Sequence, residues 1–295
     1  MRKLYIALLA GSASLSPAIA EEVAAGADTE TGQNWSFSAS GGTAMIDGDG
    51  DQPSVRLGVT RVIGAGYLRA SWTRFATRDG AGLVGAVPAS TQQATLAAGY
   101  AFGSLSVDGY LSYGWRKFDR EAYRRETGSM IEIDSNGKTL GGGLSLTYAM
   151  AIDTRTTLSP FVAGDINRLD TARAITVVGR GTISQKERQT GQTGSLGFTL
   201  ERGVGKDGQH RIGIYAAAVT TSNSAVAFRS SSPAGIASLF GPLDVPGSKD
   251  SWIEYGATAS VRLARPVSLD LSVVRTAGFR GGNSTSLSAG VRVGF

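Results

Sequence analysis

Leu287-Ser288-Ala289-Gly290-Val291-Arg292-Val293-Gly294-Phe295 puts an apolar residue at every odd position and a small or charged one at every even position. A period of two is that of a β-strand, whose side chains point alternately to its two faces. One face of this strand is apolar and the other is not. The same pattern recurs upstream: Leu140, Gly142, Leu144, Leu146, Tyr148 and Met150 alternate with Gly141, Gly143, Ser145, Thr147 and Ala149. Leu105, Val107, Gly109, Leu111, Tyr113 and Trp115 alternate with Ser106, Asp108, Tyr110, Ser112, Gly114 and Arg116.

Worked outward from these stretches, the alternation predicts an all-β chain of twelve strands, at about 34–45, 54–62, 66–76, 93–102, 104–117, 138–151, 156–169, 194–203, 210–222, 250–264, 267–279 and 284–295. Their connections alternate in length. Those at 63–65, 103, 152–155, 204–209 and 265–266 are short, whereas 46–53, 77–92, 118–137, 170–193 and 223–249 are long and 280–283 is brief. A sandwich has no reason to sort its loops in this way. A closed antiparallel outer-membrane barrel has short periplasmic turns, long extracellular loops and an even strand number. Closure also pairs every backbone group, which lipid would otherwise leave without a partner. Aromatic girdles are expected at both interfaces: Phe75, Trp115, Phe118 and Phe279 at the outer ends of strands, Phe102, Tyr148 and Phe295 at the inner ends.

Composition narrows the rest. The 295 residues include 41 glycines, no cysteine and one histidine, His210. Disulfide scaffolds and thiolate chemistry are thereby excluded, and histidine-based metal or acid–base chemistry has little to draw on. Arg2 and Lys3, the apolar run Leu4–Ala10 and the Ala18-Ile19-Ala20 cleavage pattern read as a signal peptide over residues 1–20. Residues 21–33 then form a short periplasmic segment and 34–295 the barrel domain. Losing the leader lowers the formal charge of +5 by two, so the basic balance gives no argument for nucleic acid. The expected location is the outer membrane of a Gram-negative bacterium, after cleavage near Ala20.

Three blocks resemble the autotransporter β-domain family, a twelve-stranded outer-membrane barrel. They are Ala98-Gly99-Tyr100 through Leu105–Tyr110 with Tyr113-Gly114, the Leu158-Ser159-Pro160-Phe161 strand, and the closing Leu287–Phe295. The resemblance covers most of 93–295. In the last block, Leu287, Ala289, Val291, Val293 and Phe295 resemble the C-terminal signal read by the barrel-assembly machinery. The family carries a secreted passenger and a threading helix ahead of its barrel. The fourteen polar and small residues Glu21–Asn34 suit neither, so the expectation is a barrel of translocator type without a passenger.

Parity assigns the charged residues of the strands to the lumen: Arg56, Arg69, Arg116, Arg211, Arg262 and Arg292 against Asp108, Asp165, Glu201, Glu254 and Asp270. A selective pore shows rings of one sign. This near-balanced set predicts either a weakly selective aqueous channel or an interior braced by ion pairs. The small positions Gly58, Gly99, Gly143, Ser145, Gly197, Gly213, Gly256 and Gly290 predict room inside.

Other motifs have plainer explanations. Asp47, Asp49 and Asp51 have calcium-loop spacing, but Gln52 and Gly58 stand where that loop needs glycine and glutamate, so a solvated acidic turn is expected. Gly141-Gly142-Gly143 precedes no helix and cradles no phosphate. The 116–126 loop, with Arg116, Lys117, Arg120, Arg124 and Arg125 among three acids, is expected to be a solvated mixed-charge loop, contact with lipopolysaccharide being the alternative. The 223–249 loop is apolar enough to cap the mouth or offer a contact site. Barrel hydrolases need an imidazole near the outer leaflet, and His210 follows a periplasmic turn. The expectation is a monomeric passive pore or structural barrel, in contact with outer-membrane lipid and lipopolysaccharide and not an enzyme, with no cofactor and no metal. The alternative is an adhesin or ligand-binding barrel whose loops carry the function.

Overall fold

The computed structural model describes residues 34–47, 51–77, 89–119, 121–124, 130–179, 181–224, 249–280 and 282–295. The expected signal peptide, the 21–33 segment, Asp49 and most of the 223–249 loop lie outside the described residues. Extended chain dominates: β1 (Trp35–Ile46), β2 (Asp51–Ile63), β3 (Gly66–Thr77), β4 (Ala89–Phe102), β5 (Leu105–Phe118), β6 (Glu121–Arg124), β7 (Met130–Tyr148), β8 (Met150–Ala151), β9 (Thr156–Val177), β10 (Gly181–Val204), β11 (His210–Thr221), β12 (Asp250–Ala264), β13 (Val267–Ala277) and β14 (Ser284–Gly294).

The twelve long strands form a closed antiparallel barrel in which β5 pairs β7 and β7 pairs β9. β14 returns to β1 in the register Ala39↔Val291 and Gly41↔Ala289. Past the end of that ladder, Trp35 N donates to Phe295 O at 3.1 Å and Phe295 N to Trp35 O at 2.8 Å. No sheet edge is left at the seam, which is the condition lipid imposes. Tight turns at Gly64 and Gly103, both at positive φ (60° and 65°), reverse the chain at the periplasmic end; glycine accepts that conformation because it has no Cβ.

The period of two becomes an outside and an inside. On β5, Leu111 is 69% exposed while its neighbour-but-two Asp108 is 2% exposed. The outward face is a wall of Leu, Val, Ile and aromatic residues, including Leu68, Leu96, Leu144, Ile166, Leu196 and Ile214. In water so much exposed apolar surface would drive aggregation; in a bilayer it is the seat.

Two expectations are corrected. The segments 118–137 and 170–193 are not mainly loops. β7 starts at Met130, and β9 and β10 run 22 and 24 residues, pairing with each other from Arg202↔Thr156 to Gly181↔Val177. A membrane crossing needs about 9–11 residues, so these strands rise well beyond the bilayer as a sheet with β6 at its edge. Residues such as Ile131, Ile133, Thr171, Ile175, Val177 and Ile183 favour extended backbone, and pairing there satisfies groups that a loop would leave to water.

The outer aromatic girdle also differs. Trp115 faces outward, but Phe75 and Phe118 are buried on the inner face and Phe279 packs on Trp252, ring centroids 4.8 Å apart. The inner-end set Phe102, Tyr148 and Phe295 is outward and exposed, joined by Trp35, Phe37 and Tyr100.

Candidate functional site in the barrel lumen

The inner wall is built from serine, threonine, glycine and a set of charged residues. All eleven charges singled out from parity lie on strands of this wall, but they are held very differently. Tyr67 OH on β3 donates to Asp108 Oδ1 on β5 at 2.7 Å. The bond passes over β4 at Gly99, where an added Cβ would collide with both Asp108 and the Tyr67 ring. Glu254, 1% exposed, accepts from Tyr215 OH at 2.9 Å and from Trp252 Nε1 at 2.8 Å. Asp165 accepts from Asn167 Nδ2, and Asp270 from Ser260 Oγ at 2.8 Å.

Arginines complete the wall. Arg56 Nε donates to Thr73 Oγ1 at 3.3 Å, and Arg116 lies over the Phe118 ring at 4.6 Å. Arg69 is buried on β3 and Arg262 is exposed near the periplasmic end of β12. Arg211 Nη1 stands 3.7 Å from Glu201 Oε2, and Arg292 Nε stands 3.7 Å from Asp270 Oδ2. Those two separations exceed hydrogen-bond length, so they are ion pairs without directed bonds.

The inner glycines do not leave the room expected of them. A Cβ on Gly197 would stand 2.7 Å from Ala217 Cβ and 2.8 Å from the Phe161 ring, and one on Gly143 would stand 2.7 Å from the Tyr110 ring. Phe161 and Tyr215 stack across β10, centroids 6.0 Å apart and 6° from parallel. Each such glycine is a recess into which a neighbour leans, so the wall from β3 to β11 is packed. Open inner surface lies elsewhere, along β12, β13, β14, β1 and β2, where Ser38, Ser40, Ser272, Ser288 and Thr258 are only half-buried. The tyrosines and Trp252 were missing from the sequence reading of the lumen, although their parity places them there with Arg69, Arg116 and Glu254.

Outside the membrane, three aspartates have carboxyls held below the ordinary range. For Asp153 in the periplasmic turn the main cause is the backbone N–H of Arg155 at 2.7 Å, with Thr156 Oγ1 adding a bond at 2.9 Å. For Asp170 on the protruding sheet it is Arg168, then Arg188. For Asp47 it is Arg275, whose Nη1 donates at 2.8 Å. The first aspartate of the acidic turn is thus tied to an arginine. Among the described residues no group of three or more His, Asp or Glu is placed to hold a metal. His210 Nε2 is 3.0 Å from Gln209 Nε2 at the periplasmic end.

A closed barrel with an apolar exterior and a polar, partly packed lumen narrows the comparison to outer-membrane barrels, and residues 76–274 match the Autotransporter beta-domain. The chain belongs to the autotransporter β-domain family. Autotransporter barrels sit in the Gram-negative outer membrane, which is where this one belongs. The fold is similar to the translocator domain of autotransporter NalP from Neisseria meningitidis: TM-score 0.65, 15% identity, 94% of this chain and 95% of that one covered. It is also similar to the β-domain of the Bordetella autotransporter Brka, at TM-score 0.61 and 17% identity over 89% of this chain and 99% of that one. At such identities the likeness speaks for the fold alone. A comparison with curated proteins finds no match.

Proposed function

We propose that this autotransporter-type barrel works as a passive aqueous pore of the outer membrane. The observation that carries this reading is the strip of hydroxyl side chains on β12, β13, β14, β1 and β2, which faces the lumen and is only half-buried. A polar strip inside a barrel keeps water, and water carries small solutes. The barrel has no catalytic role in this reading, and it functions as a monomer in outer-membrane lipid and lipopolysaccharide. Leu287, Ala289, Val291, Val293 and Phe295 form the strip that the barrel-assembly machinery reads. Purified protein in planar bilayers is expected to give steady, voltage-independent conductance; a sealed bilayer at all potentials would contradict the pore.

A second reading gives the function to the exterior, and the sheet above the rim favours it. There Ile131, Ile133, Ile175, Val177 and Ile183 share one face by register, while the other carries Asp134, Lys138, Asp170 and Arg188. An amphipathic sheet of this kind suits a surface-binding protein. Removing its tip would abolish cell or lipopolysaccharide binding in that case and leave conductance unchanged in the other.

A further inference from the structure

We propose that the lumen favours anions, through an arginine and hydroxyl surface confined to β11, β12, β13, β14, β1 and β2. The proposal rests on the pore reading for its transport consequence, and on the wall itself for its chemistry. A count of the lumen charges is almost neutral, but their placement is not. Strand register sets Arg262, Ser268, Arg292 and Ser38 opposite one another in successive strands. The next inner row holds Arg211, Ser260, Asp270, Gly290, Ser40 and Arg56. Neighbouring strands are about 4.8 Å apart, so Arg262 and Arg292 stand roughly 10 Å from each other across Ser268. Four arginines therefore share these strands with Asp270, with the buried Asp250 and Glu254 of β12 and, at the border, with Glu201.

Arg292 gives the surface an anion-directed group. It is 9% exposed on the inner face of β14; its Nε and Nη2 make no hydrogen bond, and its carboxylate partner Asp270 stands at 3.7 Å, beyond hydrogen-bond length. A buried guanidinium with unused donors is a site for a carboxylate, phosphate or halide, since Arg presents its N–H groups as a fork. Ser36, buried, and Ser38, half-buried, add hydroxyls from β1.

Most of the acidic residues are withdrawn from a permeating ion. Asp108 and Glu254 are 2% and 1% exposed, and their oxygens are taken by Tyr67, Tyr215 and Trp252. Asp165 is bonded to Asn167 on the packed side, and Asp270 to Ser260. Along the open strip water meets Arg56, Arg211 and Arg262, each half-buried or exposed, and a single half-buried acid, Asp270. In a narrow, low-dielectric tube such a surface focuses positive potential and enriches anions.

Reversal potentials in a potassium chloride gradient test this. Chloride is expected to permeate better than potassium, and Arg56→Gln with Arg262→Gln is expected to lower that ratio roughly twofold or more, while Glu254→Gln leaves it unchanged. Potassium preference, or a ratio insensitive to both arginine substitutions, would overturn the proposal. If the barrel does not conduct, the pore reading fails and the surface is tested separately. The chain has no cysteine, so Ser40→Cys and Ser288→Cys report cleanly on modification by charged thiosulfonates. Faster reaction with the anionic sulfonatoethyl reagent than with the cationic trimethylammonium reagent supports an anion-attracting wall, and the reverse order overturns it.

Discussion

Gly99 has no side chain because two others occupy its place. Asp108 and Tyr67 meet over it, and they lie 41 residues apart in sequence, so the pairing was invisible to any local pattern. Gly99→Val is expected to break that bond and destabilise the barrel by about 1–3 kcal/mol, read as a lower temperature of the band shift on semi-native gels. Glu254→Ala leaves Tyr215 and Trp252 without their acceptor, at about 1–3 kcal/mol for each donor stranded; Glu254→Gln should lose less, because one carbonyl oxygen remains. Parity puts the charged residues of the strands on the face that carries the buried Asp108 and Glu254. It also contained the inward aromatics, since Phe75 shares parity with Arg69 and Phe118 with Arg116; judging them by distance along the strand alone put them on the wrong face.

At the scale of the element, the turn 152–155 depends on Asp153. Its carboxylate pKa is lowered in the folded chain, so its stabilisation is present above the ordinary aspartate value of about 3.9 and is lost as pH falls through the lowered folded value. The amides of Arg155 and Thr156 should accordingly exchange faster only at strongly acid pH, and Asp153→Ala should remove that dependence. The protruding β9–β10 hairpin was not legible because the alternation that betrays a membrane strand comes from lipid on one side. Above the bilayer both faces meet water, and Ser184-Gln185-Lys186-Glu187-Arg188-Gln189-Thr190 carries no apolar period at all. The charges there also blunt an exposed edge against pairing with other chains. Replacing 174–183 by a short Gly-Ser turn should leave barrel folding intact, with no loss of the heat-dependent gel shift.

For the molecule as a whole, strand number, direction and the apolar exterior followed from a period of two and from loop lengths, because lipid enforces both. The interior followed only in part. Charge signs could be counted from the sequence, but which of these residues stand side by side depends on shear, which brings together residues such as Arg292 and Ser38 that are far apart in the chain. All of it requires the first and last strands to join in one register. With Ala39→Cys and Val291→Cys the Cα atoms are expected to be about 4.5–5.5 Å apart, within reach of a disulfide. Mild oxidation of the folded protein in detergent should cross-link this pair within one chain, while Ala39→Cys with Leu287→Cys should stay reduced. Cross-linking of the shifted pair instead, or bridges only between chains, would contradict a barrel closed as described.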